Sequence, residues 1–106
     1  MSKIVKLTAE NFDAEIMKDG VTAIVDFYAD WCGPCKMLAP ILEQLERDND
    51  DFGFYKVNVD ENPELAAKYH VFTIPNVVIF KNGRDIAQSI GLKPAEEMQK
   101  ILDGIK

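Results

Sequence analysis

Apolar and polar residues alternate in blocks along the chain, and the period of the pattern switches between that of a strand and that of a helix. The apolar run Ile4 to Leu7 opens as a strand. A polar stretch follows, with Thr8 or Asn11 able to start a helix. Phe12, Ile16 and Met17 give that helix an apolar stripe to bury. Residues 22–29 are almost wholly apolar and rich in branched side chains, the pattern of a strand covered on both faces. Asp26 alone interrupts it.

Leu38, Ile41, Leu42 and Leu45 recur at helical spacing and predict a second helix, with Pro40 expected to kink it. Phe52 to Val59 reads as a strand. Asn62-Pro63-Glu64 then carries a capping residue, a proline suited to the first helical position and an acid suited to the dipole, predicting a short helix to about Tyr69. Val77 to Phe80 and Ile86 to Ile90 flank Asn82-Gly83, a dipeptide suited to a two-residue hairpin turn. Met98, Ile101, Leu102 and Ile105 form the stripe of a last helix, begun near Pro94, Glu96 and Glu97, with Lys93 a poor cap. This order predicts an α/β fold: a mixed five-stranded sheet with four helices on its two faces.

At 106 residues, with neither linker nor repeat, the whole chain 1–106 is expected to form a single domain. Acidic residues outnumber basic ones by 18 to 12 and no basic face is visible, which argues against nucleic acid as a partner. No apolar run is long enough to cross a bilayer, and the start Met1-Ser2-Lys3-Ile4 has no secretory hydrophobic region, so a cytoplasmic location is expected. The two cysteines stand three positions apart and cannot staple distant parts of a fold, so their pairing must serve chemistry or a metal.

The candidate chemistry lies in Trp31-Cys32-Gly33-Pro34-Cys35, which follows the buried strand and opens a helix. Unpaired amides and the positive dipole end at a helix start favour a thiolate, making Cys32 the expected nucleophile. Cys35 lies one helical turn on, within reach of a disulfide. Gly33 permits close approach of a partner chain. Pro34 withholds one amide donor, so the thiolate is stabilised less and the pair becomes the better reductant. Asp26, embedded in apolar sequence, should hold its proton to near-neutral pH and serve as the proton acceptor for Cys35, with Lys56 as its partner.

Other readings of the same residues stay open. The cysteines could supply half of a zinc site, but four ligands are usual and His70 is the only histidine, so no metal is expected. Asp26 could be a structural residue satisfied by backbone donors, and Lys56 could extend to water. Trp31, directly before a reactive and therefore exposed cysteine, is expected to rim the site rather than fill the core. An oxidase or isomerase would share the same chemistry, and a redox-independent binding module would use the apolar surface around Trp31.

Trp-Cys-Gly-Pro-Cys-Lys at 31–36, Asp26 in the preceding strand, Ile74-Pro75 ahead of another strand, and Gly83 and Gly91 together resemble the bacterial thioredoxin family over the whole chain. The resemblance implies the thioredoxin-like fold and dithiol–disulfide exchange, with no bound cofactor beyond the Cys32–Cys35 pair and no oligomerisation. It also implies a cis Ile74–Pro75 bond beside the cysteines. Trp31, Gly33, Pro34, Ile74, Pro75, Gly91 and Leu92 would then form a docking surface for an extended substrate segment. The implied partners are a thioredoxin reductase that restores the dithiol and disulfide-forming proteins such as ribonucleotide reductase or peroxiredoxins. Asn76, where threonine often follows the proline, and Phe72-Thr73, bulkier than usual, depart from the family pattern and bear on target preference.

Overall fold

In the computed structural model, which describes residues 3–105, five strands and four helices follow the expected order. The strands are β1 (Val5–Leu7), β2 (Thr22–Tyr28), β3 (Gly53–Asn58), β4 (Asn76–Lys81) and β5 (Arg84–Ile90). The helices are α1 (Phe12–Ile16), α2 (Gly33–Asp48), α3 (Pro63–Lys68) and α4 (Ala95–Asp103). Met1 and Ser2 of the opening segment lie outside the described residues.

The sheet runs in the order β1-β3-β2-β4-β5. β3 pairs in parallel with both β1 and β2, whereas β4 is antiparallel to β2 and β5. The side-chain period of two sends alternate residues of β2 to opposite faces. Ala23, Val25 and Phe27 join Phe12, Ile16, Leu65 and Tyr69 in one core, so α1 and α3 cover that face. Ile24 packs with Leu38, Leu42, Leu45, Met98 and Leu102 in the other, beneath α2 and α4. The first core is locked by three rings: Phe12, Tyr69 and Phe80 pack pairwise with centroids 5.0–5.6 Å apart.

β4 and β5 are joined through Asn82 (φ 53°) and Gly83 (φ 80°), the paired positive dihedrals expected of this dipeptide. Lys81 pairs with Arg84 across the turn. α2 continues through Pro40 to Asp48, with Ile41 half-buried at the edge of its stripe.

Some local expectations gave way to longer-range contacts. α1 ends at Ile16, so Met17 falls at the C-cap and is exposed rather than part of the buried stripe. Asn11 is the N-cap of α1, but its side chain accepts from the Thr8 backbone N–H at 2.8 Å and makes no cap bond. Asn62 likewise does not cap α3 with its side chain. Its Oδ1 accepts from Ala9 N–H at 2.9 Å and its Nδ2 donates to the Asn58 carbonyl at 3.1 Å, tying the start of α3 to the β1–α1 loop. Lys93 precedes Pro94, the N-cap of α4. Its ammonium instead donates to Ser89 Oγ and to the Ile90 carbonyl, each at 2.8 Å.

Candidate active site

β2 ends at Tyr28, and the short link Ala29 to Trp31 delivers Cys32 to the N-cap of α2. Cys32 is extended there (φ −85°, ψ 110°), and its carbonyl accepts the first helical bond from Lys36 N–H at 3.2 Å. Pro34 occupies the first turn and has no N–H to offer, so the donor that reaches Cys32 Sγ is the backbone N–H of Cys35, at 3.2 Å. No acidic residue lies in that first turn to oppose negative charge on sulfur. The two cysteines form a disulfide, with their Cα atoms 5.2 Å apart. Both expectations drawn from the spacing are met: the nucleophile candidate begins the helix, and its partner stands one turn inside it.

Exposure differs from expectation. Cys32 is only 4% exposed, as is Cys35, because the pair packs with Ala29 and is flanked by Tyr28, Val59 and Ile74. Access to sulfur is therefore a narrow approach rather than an open face. Trp31 does rim the site: it is 70% exposed, and its indole N–H donates to Asp60 Oδ2 at 2.8 Å. Asp60 itself lies in a turn whose backbone N–H groups, at Asp60 and Glu61, bond Asn58 Oδ1.

The Ile74–Pro75 bond is cis. Ile74 packs against the cysteine cluster, and Pro75 is buried with its carbonyl accepting from Gly91 N–H at 2.8 Å. Gly91 has φ 91°, a conformation costly for any residue with a Cβ, so the β5–α4 connection can turn here against the Pro75 backbone. Gly33 and Pro34 are exposed at the head of α2. Leu92, also exposed, lies one residue beyond Gly91 and faces a cleft against α2 rather than the cysteine cluster itself.

Asp26 lies on the α2 side of β2, 6% exposed, and its Oδ1 has no hydrogen-bond partner among the described residues. Burial pushes its carboxyl from 3.8 up to about 7, while the positive charge of Lys56 draws it partly back. Lys56 stands directly opposite Asp26 in the β2–β3 register, half-buried, with its ammonium 5.8 Å from the Tyr28 ring centroid. Asp26, Lys56 and Cys35 line one cavity of about 400 Å³, with Tyr28 and Lys36 among its other walls. The arrangement can therefore pass a proton between a buried carboxyl and the inner sulfur through a space large enough for water.

The comparisons agree with this geometry. The Thioredoxin family profile matches residues 3–104. A thioredoxin of Staphylococcus epidermidis is 48% identical over 101 residues, covering 94% of this chain and 95% of that protein. Thioredoxins of Staphylococcus haemolyticus and Staphylococcus aureus are 48% and 46% identical over the same shares. The chain belongs to the thioredoxin family. It is accordingly a thiol–disulfide oxidoreductase of thioredoxin fold, with Cys32–Cys35 as its redox-active disulfide.

Two neighbours of this thioredoxin centre were not singled out from sequence. Tyr28 was within reach, because it shares a face with Asp26 by the period of two. Asp60 was not, because its bond to Trp31 joins residues 29 apart and no local pattern announces it. Of the departures from the family pattern, Asn76 is 1% exposed, with neither amide atom hydrogen-bonded among the described residues, so it cannot touch a partner directly. Phe72, 81% exposed, meets only the His70 ring, 6.1 Å away, among the ring contacts. Among the described residues no three His, Cys, Asp or Glu side chains gather in a way that could hold a metal ion, and no helix is long and apolar enough to cross a membrane.

Proposed function

We propose that this chain, acting as a single domain and a monomer in the cytoplasm, reduces disulfides of other proteins and is returned to the dithiol by a thioredoxin reductase. The observation that carries the reading is the placement of Cys32 at the first turn of α2, with Cys35 a turn behind it on the same cavity as Asp26. In the reduced protein, the thiolate of Cys32 attacks one sulfur of the target disulfide. A new S–S bond forms and the other target sulfur leaves as a thiolate, which takes up a proton. Asp26, with Lys56 tuning its charge, accepts the proton of Cys35 through the cavity. The Cys35 thiolate then attacks Cys32 Sγ, the Cys32–Cys35 bond forms, and the target's remaining sulfur is released. The target has gained two electrons and the carrier has lost them.

The direction of transfer rests on Pro34. By removing an amide donor from the first turn it leaves the Cys32 thiolate less stabilised than a donor-rich linker would, which favours giving electrons over taking them. Trp31, Gly33, Pro34, Ile74, Pro75, Gly91 and Leu92 form the docking surface, the backbone of Ile74 ahead of the proline accepting an extended segment of the target by main-chain pairing. Targets of this kind are enzymes that form a disulfide on each turnover, such as ribonucleotide reductase or peroxiredoxins.

The test is trapping. Cys35→Ser protein, reduced and mixed with a disulfide-bonded protein such as insulin, should accumulate a mixed disulfide through Cys32, whereas Cys32→Ser should accumulate none. Trapping by Cys32→Ser alone would reverse the two roles. Equilibration with glutathione tests the direction: a pair that remains oxidised at cytosolic poise contradicts a reductant.

A further inference from the structure

Strand geometry brings Tyr28, Asp26 and Lys56 together. Tyr28 stands two residues beyond Asp26 on β2 and so shares its face of the sheet, while Lys56 pairs with Asp26 across the β2–β3 register. All three line the cavity of about 400 Å³ that reaches Cys35. The ammonium of Lys56 lies 5.8 Å from the centroid of the Tyr28 ring, within the range of a cation–π contact.

The remaining charged groups around the pair leave that contact in charge of the ammonium. Lys6 stands beside Lys56 in the β1–β3 register as a like charge, and its own ammonium is held by Glu61 Oε1 at 3.0 Å. Asp30, from the link after β2, and Lys36, from α2, line the same cavity, and Glu43 of α2 lines a neighbouring one that Asp26 and Lys56 also share. Among the described residues no carboxylate oxygen lies within 4.0 Å of the Lys56 ammonium, so its attraction to Asp26 acts across a gap. Such an attraction weakens as the charges separate, and a half-buried lysine released from a ring extends toward water. Burial pushes the Tyr28 hydroxyl above its ordinary 10, so the ring it carries is neutral around pH 7.

We propose that Tyr28 is a positioning residue of the redox centre: its ring holds the Lys56 ammonium beside the cavity that joins Asp26 to Cys35, and so keeps Asp26 able to ionise and take the proton of Cys35 near neutral pH. The inference rests on the reading of Asp26 as the base for Cys35 and adds to it the group that keeps Lys56 in place. A ring that served only to exclude water would act in the opposite sense, because its removal would hydrate Asp26 and ease its ionisation. The two roles therefore differ in sign.

The titration of Asp26, followed through its carboxyl carbon by NMR in the oxidised protein, reads that sign. Tyr28→Leu should move the midpoint up by roughly half a pH unit, the size of one exposed cation–π contact, whereas Tyr28→Phe, which keeps the ring face, should leave it within about 0.2 of a pH unit. Lys56→Met should raise the midpoint by itself, and adding Tyr28→Leu to it should bring no further rise, since the ring then has no cation to hold. Decay of the mixed disulfide formed with insulin, acid-quenched at a series of pH values, should reach half its maximal rate at a pH displaced upward by the same amount in Tyr28→Leu. A midpoint that stays or falls in Tyr28→Leu, or that rises as far in the Lys56→Met background, would overturn the positioning role while leaving the reductant intact. A decay profile that ignores a displaced Asp26 midpoint would remove Asp26 as the base, and Tyr28 from the reaction with it.

Discussion

A carboxyl such as Asp26, buried in a sheet with one oxygen unpartnered, is retained against a thermodynamic cost. Its pKa is pushed from 3.8 to about 7 chiefly by burial, so between those values the native state binds more protons than the unfolded chain. Stability should therefore fall as pH rises from about 4 to about 7 and level off above, the loss being on the order of 4 kcal/mol for a shift of this size. Asp26→Asn keeps the shape and removes the charge. Denaturant unfolding of the variant should show a higher midpoint than the parent at pH 8, near equality at pH 4, and no Asp26-dependent slope between them. On the proposed mechanism, in which Asp26 takes the proton of Cys35, the same variant should release its mixed disulfide roughly tenfold to a hundredfold more slowly. A variant less stable than the parent at pH 8 would mark Asp26 as structural. That a lone carboxyl stands buried in this strand was legible from residues 22–29 alone. That Lys56 faces it was legible only as a lone charge on another strand, because register is set by the pairing of whole strands.

Among elements, what was legible follows from the range of the force that shapes each one. Strand β2 and the stripe of α2 are long enough for periodicity to override local preferences, and the hairpin turn is dictated by two residues with positive φ. The ends of α1 and α3 are different: both helices are short, and their cap asparagines bond outside the helix instead of to its first amides. Asn62 shows why local rules fail there. Its buried side chain joins the β1–α1 loop, the end of β3 and the head of α3 through two bonds to residues 53 and 4 positions away. Asn62→Ala should cost about 1 kcal/mol, because it removes the buried side chain's tie to Ala9 N–H and one of the two bonds to the Asn58 carbonyl, which keeps its bond from Asn62 N–H. Hydrogen exchange should locate the loss at Ala9 and across α3, with α4 on the opposite face unaffected. Loss of protection spread evenly over all the helices would contradict this assignment.

For the molecule as a whole, the redox pair has to change state without the fold changing with it. The Cys32–Cys35 bridge spans a sequence separation of 3, so it restrains a very short loop and removes little entropy from the unfolded chain. By loop length its contribution is about 2 kcal/mol or less. Two extended cores, on opposite faces of one sheet, hold the structure independently of it. The cysteines contribute only to a third, small cluster at the sheet's end. Reduction should consequently lower the melting temperature by on the order of 10 °C at most while leaving unfolding cooperative, judged by calorimetry with and without a dithiol reductant. The change in amide protection should be confined to Ala29 through the first turn of α2, to Ile74, which packs against the pair, and to Gly91, whose N–H bonds the adjoining Pro75 carbonyl. Cooperative unfolding lost on reduction, or protection lost in β5 and α4, would mean that the disulfide is a staple. A carrier built on it could not then stay folded while it delivers electrons.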